Sequence, residues 1–414
     1  MKITHINTYD IEGGAARAAY ALHVGLRDME QTSCMFVKKK SSRDDSVIEF
    51  VLSKKFFVRL QRRLRREYIK RSLKRYSHSR PSGYEDIRVA GSEHYTRPLH
   101  QIPQSDIINL HWIADFIDYR MLPQAASGAP LVWTLHDMNA FTGGCHYDYG
   151  CRKFVESCGA CHQLGSKYDN DLTRRTWRRK KNIFEKIPPD RLYIVTPSQW
   201  LAHEVSRSSL LGDRPLAVIP YGLDTNEFAP RDKKFIREIL NISQETKVLL
   251  FVAQSMTNFR KGFHILSDVF KQLNEHSKLL LISIGSKTPP TSPGKAYMPL
   301  GFIENNRLLS LVYSAADLFV IPSLQDNLPN TILESMACGT PVVGFVVGGI
   351  PDMVRPGETG LLAPSGDVGA LRDAISELLE NDEKRKQMSK NCRRMAVEEY
   401  SSEIQAQRYL KLYQ

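Results

Sequence analysis

Nine short apolar, β-branched runs separated by helical stretches constrain this chain more than any other feature. Five come first: Ile3–Asn7, Ile107–Leu110, Leu131–Leu135, Tyr193–Thr196 and Ala217–Ile219. Four follow: Val248–Ala253, Leu279–Ile284, Leu318–Ile321 and Val342–Phe345. Continuous apolar strands are strands covered on both faces, and helices between them make the pairing parallel. Two such series predict an α/β chain of two doubly wound domains. At 414 residues and 42% hydrophobic, the chain can bury two cores and is too apolar for disorder. Gly222, Asp224, Asn226 and Pro230 mark a junction near Tyr221 to Asp232. The expected division is therefore 1–225, 226–395 and a terminal helix over 396–414 packing back toward the first domain.

The net charge of +12 is local. From Lys54 to Arg80, inside an insertion at about 41–95, twelve Lys and Arg stand against one acid, Glu67. Arg174, Arg175, Arg178, Arg179, Lys180 and Lys181 form a second run, and the remainder is slightly acidic. Phe57, Leu60, Leu64 and Tyr68 recur at three and four, one stripe of a helix. Such a helix suits an anionic membrane surface, the plainer reading being a solvated helix packed on its own domain. A nucleic-acid-binding protein is the alternative from another class, but the run lacks regular aromatic interleaving. The first residues turn polar too soon for a signal peptide. The weakly polar run near Pro341 to Pro351 is far shorter than the ~20 residues of a membrane span. A cytoplasmic protein is expected, with peripheral contact at the inner face of the cell membrane.

Four of seven cysteines lie close together, at Cys145, Cys151, Cys158 and Cys161. In a reducing compartment this spacing favours a structural zinc site, with an iron–sulfur cluster or a metal-free loop as alternatives.

Two segments read as anion sites. Gly13-Gly14 separates the first strand from a helical run, where backbone N–H groups can approach a phosphate. It is not a G-x-G-x-x-G fingerprint, so a nicotinamide cofactor is disfavoured. Farther on, Asp326, Asn327, Leu328, Pro329 and Asn330 lead into a helix carrying Glu334 and ending at Gly339. Five residues separate Pro329 from Glu334, roughly 7 Å along the axis. That span suits a diphosphate at the helix N-terminus with an acid, Asp326 or Glu334, on each side for hydroxyl-rich groups.

The stretch from Pro322 to Leu362, with Gly348-Gly349-Ile350-Pro351-Asp352 and Gly357-Glu358-Thr359-Gly360-Leu361-Leu362, resembles the donor-site half of a retaining glycosyltransferase of family four. Val218 to Asp224, Arg260-Lys261-Gly262, Gly13-Gly14 and Thr134-Leu135-His136-Asp137 extend the resemblance to nearly the whole chain outside residues 41–95. It implies the GT-B fold, two Rossmann-like domains facing each other across a cleft, and an enzyme of the bacterial surface-polysaccharide type. A UDP- or GDP-sugar is then the donor, a glycan or lipid-linked hydroxyl the acceptor, and no catalytic metal is expected. The resemblance assigns Glu334 to the nucleotide ribose and Asp326, one methylene shorter than the usual Glu, to the vicinity of the transferred sugar. Lys261 resembles the lysine that neutralises the diphosphate. Its usual companion arginine is replaced by Ser255, and Arg260 is the candidate substitute. His136 resembles the histidine that contacts the donor sugar, while Asp137 either orients it or caps the next segment. Another GT-B enzyme, such as a nucleotide-sugar epimerase, is the nearest alternative.

Overall fold

The computed structural model describes residues 1–95, 97–274, 278–287 and 293–414. The chain forms two compact units, Met1–Pro220 with Ala406–Gln414, and Tyr221–Gln405.

The first unit contains β1 (Lys2–Tyr9), β2 (Thr32–Lys39), β3 (Val47–Glu49), β4 (Ile107–Leu110), β5 (Leu131–Thr134), β6 (Leu192–Thr196) and β7 (Leu216–Val218). They form one sheet in the order β3-β2-β1-β4-β5-β6-β7, every neighbouring pair parallel. β4 and β5 are buried at every position, the reason they read as unbroken apolar runs. The second unit contains β8 (Lys247–Ser255), β9 (Leu279–Ser286), β10 (Tyr297–Pro299), β11 (Leu318–Ile321), β12 (Val342–Phe345) and β13 (Gly360–Ala363). Its order is β10-β9-β8-β11-β12-β13, again all parallel. Two doubly wound parallel sheets is the fold class expected. The nine expected strands all form, with the fifth one residue earlier than read; β2, β3, β10 and β13 were not anticipated.

Chain return to the first unit falls at Ala406, later than the expected 396. Helix Asp382–Tyr400 stays with the second unit because Arg393 Nη1 donates to the carbonyls of Thr225, Phe228 and Ala337 at 2.9, 2.9 and 3.0 Å. The terminal residues Ala406, Tyr409 and Tyr413 then cover one face of the first sheet, over Ile3, Ile107, Val132 and Val195. Inside that apolar cluster, Tyr409 Oη pairs with Thr134 Oγ1 at 2.8 Å and Asn109 Nδ2 donates to Tyr413 Oη at 2.7 Å.

The two basic runs differ. Helix Leu172–Phe184 is packed, and Lys180 is fully buried, donating to the carbonyls of Asn139 and Thr142. Helix Phe56–Lys74 buries no residue. Val58, Arg65, Ile69 and Leu73 turn inward, half-buried, and Arg65 ties down the middle by donating to Asp118 Oδ2 at 2.9 Å. Phe57, Leu64 and Tyr68 are 80%, 64% and 72% exposed. No helix among the described residues is long and apolar enough to cross a membrane.

Replacing Tyr413 by Phe leaves the buried Asn109 Nδ2 without that acceptor. The first unit should lose about 1–3 kcal/mol, read as an earlier calorimetric transition.

Candidate active site

In the second unit the site is built where two loops leave the carboxyl ends of the adjacent strands β8 and β11, the place where open α/β sheets bind ligands. After β8, Asn258 caps a single turn, Phe259–Lys261, by accepting from the Arg260 N–H. After β11, the chain runs through Ser323 to Asp326 before helix Asn330–Ala337. Asp326 is buried and joins the two loops. Lys261 Nζ donates to its Oδ2 at 2.6 Å, Arg260 Nη1 lies 3.3 Å from Oδ1, and Ser323 Oγ donates to Oδ2 at 3.1 Å. Burial alone would raise this carboxyl's pKa, but Lys261 and Arg260 outweigh it and hold the value at about 2.

Two glycines permit the closeness. Gly262 has φ +72°, and a Cβ there would stand 1.9 Å from Pro322 O. Gly348 has φ +53°, and a Cβ would stand 1.6 Å from Asp326 O. Only glycine fits either place without moving backbone. The Gly349 N–H then donates to Asn327 O at 2.8 Å, fastening the Gly348-Gly349 turn to the same loop.

The Arg260 side chain turns into the loop. It is buried, and Nη1 donates to Gln325 O at 2.7 Å as well as facing Asp326. It grips the loop from within, whereas Lys261 is partly exposed. Pro329 precedes the helix as its cap, one residue outside the expected first turn. Glu334 lies in the second turn, buried, with Oε2 accepting from Tyr313 Oη at 2.8 Å. Tyr313 had no motif to reveal it. Ser255 ends β8 and pairs with Thr257 Oγ1 at 3.1 Å.

In the first unit, Gly13 and Gly14 form the turn from β1 into helix Gly14–Asp28, and Gly13 O accepts the Arg17 N–H at 3.0 Å. His136 stands just past β5, beside His111, which follows β4. His111 Nδ1 and His136 Nε2 are 3.1 Å apart. Burial lowers the His136 pKa to about 4, so the imidazole is neutral near pH 7. Asp137 Oδ1 accepts from the Asn139 N–H at 2.7 Å, just before the single turn Asn139–Phe141, whose cap residue is Met138. Asp137 Oδ2 meets His146 Nδ1 at 2.8 Å and Trp112 Nε1 at 3.2 Å, partners the sequence did not reveal.

Cys145, Cys151, Cys158 and Cys161 are all free thiols lining one cavity of about 20 Å³, together with Asp148 and His162. They do not fit the expected zinc or an iron–sulfur cluster. Among the described residues no three His, Cys, Asp or Glu side chains converge as a metal would require. Cys158 Sγ instead accepts from the Gly143 N–H at 3.0 Å, and burial raises the pKa of Cys145, Cys158 and Cys161, favouring neutral thiols.

Asp326→Asn should unbalance Lys261 and Arg260 and destabilise the second unit by on the order of 2 kcal/mol. Because the native pKa is depressed from 3.8 to about 2, the stabilisation is present above pH 4 and lost as pH falls toward 2. The gap between wild-type and variant melting temperatures should close over that window; a gap independent of pH would contradict the assignment.

Residues 232–395 match the family described as Glycosyl transferases group 1. The D-inositol 3-phosphate glycosyltransferase of Corynebacterium diphtheriae is 30% identical over 302 residues, covering 68% of this chain and 64% of the relative. The chain covers 42% to 65% of the length of eight such curated relatives, less than two thirds. The fold is that of sucrose-phosphate synthase from Thermosynechococcus elongatus, at TM-score 0.68 and 20% identity over 100% of this chain and 98% of the other. It is also that of Anabaena Alr3699/HepE in complex with UDP-glucose, at TM-score 0.65 and 16% identity over 100% and 99%. Residues 232–395 thus carry the match to the Glycosyl transferases group 1 family, and the chain has the GT-B fold of these solved structures.

Proposed function

We propose that this protein transfers a hexosyl group from a nucleotide-diphosphate sugar to a hydroxyl of a glycan or lipid-linked acceptor, with retention of anomeric configuration, in polysaccharide or glycolipid biosynthesis. The observation that carries the reading is the buried Asp326 carboxylate paired with Lys261 and Arg260 beside the helix that holds Glu334. A diphosphate gains negative charge as the sugar leaves, and a partly exposed ammonium beside a helix N-terminus suits that gain. Lys261 is assigned to the leaving diphosphate, Glu334 to the ribose, and Asp326 and His136 to the transferred sugar. Asn327 to Asn330 and Gly13-Gly14 are assigned to the phosphates; Arg260 supports them by fixing the Gln325 carbonyl and Asp326. In the reaction the bond from the anomeric carbon to diphosphate oxygen breaks. The acceptor oxygen bonds that carbon on the same face, and its proton passes to the departing phosphate oxygen. The complex of UDP-glucose with Anabaena Alr3699/HepE, a protein of the same fold, makes a UDP-sugar the first donor to try.

The acceptor reading draws on helix Phe56–Lys74. Its inward face is Val58, Arg65, Ile69 and Leu73; Phe57, Leu60, Leu64 and Tyr68 form a second, exposed apolar face, and exposed Arg59, Arg63, Arg66, Lys70 and Lys74 fill the arc on one side of it. An apolar stripe with a basic flank complements an anionic lipid surface, each cation near it adding about 1 kcal/mol. Placed on such a surface, the enzyme would meet a lipid-linked acceptor.

Incubation with UDP-, GDP- and ADP-hexoses and a lipid-linked or oligosaccharide acceptor should give a product whose NMR coupling constants show the donor's anomeric configuration. Lys261→Ala should lower turnover by about 100-fold or more, the scale of removing a transition-state charge partner. An inverted product, or turnover unaffected by Lys261→Ala, would refute the mechanism. In liposome sedimentation the protein should pellet with anionic and not neutral vesicles, and Phe57→Ser/Leu64→Ser should stay in the supernatant. Equal recovery with both vesicle types would remove the membrane contact.

A further inference from the structure

Three histidines from adjacent strands form a continuous hydrogen-bonded row in the first unit. His5 lies on β1, His111 follows β4 and His136 follows β5. His5 Nδ1 stands 3.0 Å from His111 Nε2, and His111 Nδ1 stands 3.1 Å from His136 Nε2. His5 and His111 are buried, and burial holds all three rings below their ordinary pKa. His23 meets His5 edge-on at 5.9 Å, and it too is held neutral by burial. The nearest acid in sequence, Asp137, is turned to His146, Trp112 and Asn139.

A neutral imidazole carries one N–H and one lone pair. Two ring-to-ring hydrogen bonds in series therefore admit only two arrangements, each running the whole length of the row. In one, His136 Nε2–H donates to His111 Nδ1 and His111 Nε2–H donates to His5 Nδ1. His5 must then keep a proton on Nε2, and that atom is buried with no hydrogen-bond partner among the described residues. In the other, His5 Nδ1–H donates to His111 Nε2 and His111 Nδ1–H donates to His136 Nε2. His5 Nε2 is then a bare lone pair, and His136 carries its proton on Nδ1. An orphaned buried N–H is the costlier and rarer defect, so the second arrangement prevails.

We infer that His5 and His111 are positioning residues that hold His136 in the Nδ1–H tautomer, so that the His136 nitrogen not engaged by His111 donates a hydrogen bond instead of accepting one. The consequence for chemistry rests on the proposed glycosyl transfer. In that tautomer His136 Nδ1 is a donor and would not serve as a base toward the acceptor hydroxyl.

The tautomers can be read without turnover. In long-range proton–nitrogen NMR of the full chain labelled with ¹⁵N-histidine, with signals assigned by single replacements, His5, His111 and His136 should all show protonated Nδ1 and bare Nε2. That form is the minor one for free histidine, so three together are distinctive. His5→Phe removes the first donor of the row, and the His136 signal should lose its pure Nδ1–H character. His5→Asn, whose side-chain N–H stands near the lost one, should restore it, with melting temperature as a control on folding. A protonated Nε2 on His136 in the wild type, or a His136 signal unmoved by His5→Phe, overturns the inference. Failure to turn over any nucleotide sugar would sink the functional reading and leave these signals as they are.

Discussion

The buried carboxylate of Asp326 is the point on which the second unit's ligand face depends. A lone charge at that depth would be unstable, and two cations from a loop 65 residues earlier, on the adjacent strand, offset its desolvation. The pairing has a geometric cost that only glycine meets, at Gly262 against Pro322 and at Gly348 against Asp326 itself. Three loops are thereby fixed to one another before any ligand arrives. Preorganised charge of this kind would suit the proposed departure of a diphosphate, since little reorganisation would remain for the reaction step.

The first unit reaches order by another route. Its polar groups include the neutral row His5–His111–His136 and, beside it, the Asp137 carboxylate paired with His146 and Trp112. Neutral imidazoles avoid the cost of burying charge and still transmit direction, because each ring's proton position constrains the next. The terminal helix completes this unit, its two tyrosines satisfying Asn109 and Thr134 inside an apolar cluster.

What could be read from the sequence follows from how local each signal is. Unbroken apolar runs such as Leu131–Thr134 and Leu318–Ile321 announce strands buried on both faces, and from them the fold class followed. Thr32–Lys39 was missed because its edges are polar, and Gly360–Ala363 because it is short and begins with glycine. Asp326, Lys261 and Glu334 stood out by motif, but their partners did not. The ion pair joins positions far apart in sequence, and Tyr313 reaches Glu334 from a different helix. No spacing rule would have revealed that the Arg260 guanidinium meets the Gln325 carbonyl. The clustered cysteines were correctly placed near one another, yet proximity in sequence does not make thiols converge on a point. Charge counting treated two basic runs alike; packing separates them, one burying Lys180 and the other burying nothing.

As proposed, the Asp326–Lys261 loops and the Glu334 helix together form a nucleoside-diphosphate site. Calorimetric titration of UDP, GDP and ADP into the wild type and Glu334→Gln tests it most directly. One nucleotide should bind with a stoichiometry of one per chain, and the variant should bind it at least about tenfold more weakly, the scale of one hydrogen bond to a charged group. Absence of binding by all three, or equal affinity for the variant, would contradict the account.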